Sequence, residues 1–392
     1  MSALDGIGRQ AGEPESLHRA LDELLATRPA LLALGEPAHG IEAFLTLRNE
    51  ILAHLVERGY RSITLETDVL AASAVDDYVG GGAADIGTVL ATGFSHGFGA
   101  LPGNRALVEW LREYNAGRAP ADRVRFHGFD APGEFSGVPS PREALHHVLG
   151  YLPAAARPGS AGDVDSLLGD EAAWREEAAM FDPSASIGGS GRVRALRVVA
   201  DDLASVLSRA ESVLRPADPA AYDRAVTHLR TARGLLRYHA AMAGRGPDRV
   251  ATLMSLRAET MAANLRAIVA GEQGRGPGLV FAHNGILQRA PIDPPGGEDM
   301  TWPSAGGLVG HTLGERYAFV ATDTGGVPGT FQGALAEATT GGRALFPARE
   351  LLAALPPSAG AGEPIMRGHL PLTPGELRGA AAVIFVTGAV TL

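Results

Sequence analysis

The sequence predicts an α/β protein: a mostly parallel sheet with flanking helices and an inserted α-helical subdomain. Three observations predict it. Short apolar runs, each ending in a turn or a polar residue, alternate with helical patterns, as buried parallel strands do. The stretch from about 141 to 271 has helical spacing and almost no strand signal. The 392 residues suffice for one large α/β frame carrying an insertion.

The elements follow in order. Leu31-Leu32-Ala33-Leu34 runs into Gly35-Glu36, and Ser62-Ile63-Thr64-Leu65 runs into Glu66. Between them Ile41, Phe44, Leu45, Ile51, Leu52 and Leu55 recur at helical spacing up to Gly59, giving a strand–helix–strand unit with a right-handed crossover. Asn104 to Tyr114 reads as a helix with Asn104 as N-cap. Val124 to Phe129 runs into Asp130. Helices are then predicted at Pro141–Leu152, Asp163–Met180, Val193–Leu214, Pro219–Ala243 and Val250–Ala270. Gly278 to Phe281 runs into Ala282-His283, Tyr317 to Val320 into Ala321-Thr322, and Ala382 to Val386 into Thr387. The Gly/Pro-rich stretches Pro291–Gly297 and Pro356–Pro364 read as loops. The expected organisation is an α/β core made of 1–140 and 272–392, with 141–271 as the helical insertion.

Composition narrows the chemistry. The chain has no cysteine and no lysine, so all 34 basic residues are arginine. Disulfides, thiolate metal sites, cysteine nucleophiles, Schiff-base lysines and the P-loop lysine are excluded. A formal net charge of −10 argues against nucleic acid or an anionic membrane as partner. No apolar stretch is long enough to span a bilayer, and the small, polar start from Met1 to Ala11 has no signal-peptide core. A cytoplasmic protein acting on a small molecule is expected. No interface stripe gives an oligomeric state.

Glu36, Glu66, Asp130 and His283 each stand at the carboxyl end of a predicted strand, the edge where parallel sheets bind ligands. Gly35-Glu36-Pro37-Ala38-His39-Gly40 joins a strand to a helix through a tight backbone. Glu36 and His39 can then share one crevice, where a carboxylate fixes the tautomer of a histidine suited to general-base work. Arg48, two turns into the following helix, can neutralise the glutamates or hold an anionic group.

These segments resemble the erythromycin esterase family, which includes succinoglycan-biosynthesis-related proteins. The resemblance rests on Leu34 to Gly40, Leu47-Arg48, Ile63 to Glu66, Asp77-Tyr78-Val79, Glu109 to Arg112 and Gly128-Phe129-Asp130. It continues in Arg257 with Met261-Ala262 and Asn264, in Ala282-His283-Asn284-Gly285, and in Leu313 to Tyr317. It implies an α/β core with helical additions and opening of a macrolide lactone by water. It further implies that His39 activates the water, while Glu36, Arg48, Glu66 and His283 line the site, His283 as a second acid/base or oxyanion donor. Asp130 and Asn284 are expected at the substrate. No cofactor or metal is required. The substrate would lie between the sheet edge and the helical subdomain.

The chain departs from the family at two places. Ala43 stands where a glutamate is usual, with Glu42 one place earlier. Ile286 stands where the histidine block normally continues with a second histidine. A site with fewer proton carriers admits a non-hydrolytic alternative, elimination or cyclisation on a natural-product intermediate. A non-catalytic ligand binder is the third reading.

The sequence also contains rival constellations. Gly93-Phe94-Ser95-His96-Gly97 matches the G-x-S-x-G nucleophile elbow, but a glycine- and proline-containing loop follows it instead of a helix. The preferred reading is a loop over the cleft that offers Phe94 and Phe98 to an apolar substrate. Glu36, His39, Glu66 and His283 are also metal-ligand types, without a known zinc spacing. His146-His147 reads as a solvated helix face, His127 as a core histidine, and the series Arg230, Arg233, Arg237 as a solvated or salt-bridged face, with recognition of an acidic substrate from the helical subdomain as the alternative.

Overall fold

The computed structural model describes residues 4, 6–132, 137–293, 300–356 and 359–390. Eight strands form one sheet: β1 (Arg9–Gln10), β2 (Leu31–Glu36), β3 (Ser62–Asp68), β4 (Arg125–Asp130), β5 (Gly278–His283), β6 (Tyr317–Asp323), β7 (Arg343–Pro347) and β8 (Ala382–Val386). Their order across the sheet is β1-β7-β8-β6-β2-β5-β3-β4. From β8 to β4 all pairings are parallel. Only β7 against β8 and β1 against β7 are antiparallel. The six apolar runs are the six parallel strands, and the α/β class holds.

Alternation along the strands explains the two sheet faces. Leu32, Leu34, Ile63, Leu65, Leu279, Phe281 and Ile384 pack into one cluster with Phe44, Leu45, Ile51, Leu52 and Leu55 of helix Glu42–Glu57. Leu31, Ala33, Val280, Ala282, Phe319, Val383 and Phe385 pack into the other, with Met261, Ala262 and Leu265 of helix Arg249–Gly271. β2 is buried at every residue because both faces are covered.

The segment from 142 to 242 carries a third cluster, which includes Leu145, Val148, Trp174, Leu196, Leu203, Tyr222 and Leu236. Helix Arg249–Gly271 divides its burial: Leu253 joins a smaller cluster with Leu235 and Met242, and Met261 and Leu265 join the sheet. The expected helix Asp163–Met180 is instead one short helix, Val164–Leu168, followed by single turns at Glu171–Ala173 and Glu177–Met180. Gly169 at φ +60° breaks it. Asn104 is not an N-cap: helix Pro102–Asn115 starts two residues earlier, and the Asn104 side chain donates to Phe98 O and accepts from Arg48. Parts of the two predicted loops, 294–297 and 357–358, lie outside the described residues.

Two glycines shape the site edge. β3 and β4 lose register between Leu65 and Asp68, so β3 bulges where Glu66 and Thr67 stand. A Cβ at Gly128 would lie 2.6 Å from Asp68 O and 2.7 Å from Thr67 O, so only glycine lets β4 follow the bulge. A Cβ at Gly35 would overlap Asn284 Oδ1, which explains the tight passage from β2 into Glu36.

Candidate active site

Glu36, His283, Glu66 and Asp130 come from β2, β5, β3 and β4, four consecutive strands of the sheet. Registers put Glu36 opposite His283 and Asp68 opposite Asp130, so the four groups form a row along the carboxyl edge.

His39 sits over this row. Its Nδ1 is 2.8 Å from Glu36 Oε1 and its Nε2 is 3.8 Å from Glu66 Oε2. The contact with the glutamate assigns the Nδ1–H tautomer and leaves the Nε2 lone pair toward Glu66. The ring is 36% exposed, tilted against Phe98 at 5.3 Å and edge-on to His283 at 5.7 Å. Glu36 is buried, and burial raises its carboxyl pKa above the ordinary value, opposed by the bond from His39. Its Oε2 has no hydrogen-bond partner among the described residues.

Glu66 is held from two sides: Oε1 accepts from Arg257 Nη2 at 3.2 Å, and Oε2 from the His283 backbone N–H at 3.0 Å. Arg257 also grips Asp130, with Nη2 to Oδ2 at 2.6 Å and Nε to Oδ1 at 3.2 Å. One guanidinium therefore neutralises two carboxylates on neighbouring strands. Sequence reasoning placed Arg257 in a family motif but not in the site. A signal existed: Arg257, Met261, Asn264 and Leu265 share one helix face, and an arginine on an apolar face calls for a buried partner.

Three of the expected site residues are held by partners of their own. Arg48 is buried, and its guanidinium donates to Asn49 Oδ1, Asn104 Oδ1 and Gly103 O while covering Phe281. It lines the cavity and acts on Glu36 through space, and burial lowers its pKa to about 10. His283 has both ring nitrogens engaged: Nδ1 accepts from Gly285 N at 3.1 Å, so Nε2–H donates to Pro37 O at 3.1 Å. Burial pushes its pKa down to about 4, so at neutral pH it is an uncharged brace for the turn carrying His39, not a free acid/base. Asn284 is turned away from the cavity: its amide donates to Thr322 O at 2.8 Å and accepts from Thr322 N at 3.3 Å, tying β5 to β6.

The cavity beside His39 has about 30 Å³, room for water rather than a large ligand. Glu36, His39, Arg48, Glu66, Phe94 and Phe98 are among its lining residues. Phe94 also packs on Phe126 at 5.5 Å. Ser95 is not an elbow nucleophile: it opens a tight turn after helix Ile86–Thr92, and its Oγ accepts from Asp68 N at 2.9 Å. Ile286 packs against the sheet cluster that holds Met261 and Leu265. His127 pairs with Glu272 at 3.0 Å. Among the described residues no group of three or more His, Asp or Glu side chains is placed to hold a metal ion, and no helix is long and apolar enough to cross a membrane.

The pKa of His283 sets a stability prediction. The folded value of about 4 lies below the ordinary 6.5, so the unfolded chain binds the extra proton first. Stability is then full above pH 6.5 and falls as pH drops through this window toward 4. His228, pushed down to about 4 by burial, acts in the same direction. Asp68, pushed up to about 6 by burial, opposes them, so the test is a difference: urea midpoints should fall more from pH 7 to 4.5 in the parent protein than in His283→Asn, and equal falls would contradict the assignment.

The α/β sheet, covered by helices on both faces, thus presents a histidine between two carboxylates at its carboxyl edge. The protein's similarity to solved structures spans nearly the whole chain. A Bacillus cereus protein matches with TM-score 0.73, a succinoglycan biosynthesis protein with 0.71, and a mutant of erythromycin esterase EreC in its open conformation with 0.70. Each is 16% identical and covers 98% of this chain and 95%, 95% and 99% of its own length, respectively. None of the curated proteins matches. The chain belongs to the erythromycin esterase family, whose model matches residues 55–341. That stretch includes Glu66, Asp130, Arg257 and His283 and begins after Glu36, His39 and Arg48.

Proposed function

We propose that the protein hydrolyses an ester or lactone, with His39 as general base. The observation that carries this reading is the placement of His39 Nε2 3.8 Å from Glu66 Oε2. Two acceptors at that separation suit one water donating a hydrogen to each. His39 takes the first proton as the water oxygen adds to the ester carbonyl, and the imidazolium then protonates the departing alkoxide. Glu36 and Glu66, on either side, stabilise the charged ring in between. The small cavity suits the water, and the exposed side of His39 suits an approaching ester. Membership of the family and likeness to EreC support a natural-product lactone such as a macrolide as substrate.

The test is conversion of erythromycin and of 4-nitrophenyl acetate in ¹⁸O-water. One label should enter each carboxylate product. A converted lactone without label would establish elimination or cyclisation instead, and no conversion of either compound would leave the binder reading.

A further inference from the structure

Two concavities lie far along the chain from His39, on the helical segment. One of about 420 Å³ and one of about 520 Å³ are formed by helices Gly191–Ala217 and Pro219–Met242, and they share Arg233 and Arg237 as a common wall. Six arginines line the pair against three carboxylates, Asp201, Glu211 and Glu259, in a chain whose overall charge is −10.

The pairing within the groove is incomplete. Arg215 is taken up by Glu211 and Asp223, Arg237 by Glu259 at 2.8 Å, and Arg233 by Asp201 at 3.4 Å. Arg230 has only neutral partners: Nε donates to Asn264 Oδ1 at 2.6 Å and Nη2 to Thr227 Oγ1 at 3.2 Å. Burial alone lowers its pKa. Arg194 donates to Gly189 O, and Arg197 has no hydrogen-bond or ion-pair partner among the described residues. Arg237 Nε is buried and without a partner. Arg194 and Arg197 thus face the smaller concavity and Arg230 the larger one, with no carboxylate of their own among the described residues. A guanidinium fork is shaped for oxyanions, and these volumes fit a small organic molecule.

We propose that these two adjoining concavities bind a polyanion carrying phosphate or carboxylate groups, held by Arg194 and Arg197 in one and by Arg230 in the other, with Arg233 and Arg237 as donors between them. The site is separate from the ester chemistry. It still touches the same scaffold, since Asn264, which holds Arg230, also donates to Phe129 O beside Asp130.

Calorimetric titration at low ionic strength with pyrophosphate and with citrate tests the site and separates a phosphate ligand from a carboxylate one. The His39→Ala protein serves as host, so the result does not depend on the hydrolase reading. Saturable one-to-one binding of at least one probe is expected. It should weaken several-fold in Arg197→Gln, an exposed position with no contact to lose, and at least tenfold in Arg230→Gln. Absence of saturable binding at millimolar probe, or binding unchanged in both variants, would overturn the proposal. So would capture of polyglutamate but of neither small anion, which would mark a protein-binding face instead.

Discussion

His39→Ala should lower kcat for ester hydrolysis by about 10²–10⁴-fold with little change in KM, the range expected when a general base is removed. The ring contributes little burial, being 36% exposed at the edge of the cavity, so the urea midpoint should stay near that of the parent protein. Glu36→Gln sharpens the test. The glutamine keeps the size but removes the charge that faces Nδ1–H and stabilises the imidazolium. Activity should therefore fall. Burial disfavours the Glu36 carboxylate, as its raised pKa records, so the same change should hold or raise fold stability. Loss of activity with retained or increased stability is not what a merely structural glutamate would produce. His39→Ala activity within tenfold of the parent would end the general-base assignment.

Arg257→Ala should have the largest effect on the fold. Asp130 is 3% exposed and the Glu66 side chain 10%, and both are paired with this guanidinium. Leaving two buried carboxylates without their cation should cost about 3–5 kcal/mol, read as a lower urea midpoint. Activity should fall as well, because Glu66 would no longer be fixed between Arg257 and the His283 backbone. Adding Asp130→Asn should recover part of the stability, since the amide needs no counter-charge. Arg257→Lys should recover less, because an ammonium cannot reach Asp130 and Glu66 in the forked geometry. Unchanged stability in Arg257→Ala would show that the two carboxylates are hydrated in solution.

The parallel strands were legible because each is an apolar run stopped by a turn, a pattern with few other physical meanings. β1 and β7 were not. β1 is two exposed polar residues, and β7 offers only Ala344-Leu345-Phe346 between an arginine and a proline. The carboxyl-edge row could be read from position alone, since parallel strands aim their ends at one edge. Side-chain direction could not. Arg48 and Asn284 have the right chemistry and the right neighbours in sequence, yet each turns toward a local backbone or amide partner that only the folded chain supplies. Arg257 was hidden for the opposite reason: it is mid-helix, where no strand end draws attention to it. The buried pair of Asp323 with His369, 3.1 Å apart, was unread because His369 lies in an irregular stretch.

β5 lies between β2 and β3 in the sheet but follows them by roughly two hundred residues. The bond from His283 to Glu66 closes a separation of 217 residues. As the chain is synthesised at about 5–20 residues per second, β2 and β3 wait about 10–40 s with facing edges unpaired. Those edges carry Leu31 to Leu34 and Ile63 to Leu65, apolar and rich in hydrogen-bonding backbone, so this interval is when the nascent protein is most open to mispairing. No amino-terminal fragment ending before residue 283 can brace His39, so the candidate site is completed late in the life of each molecule.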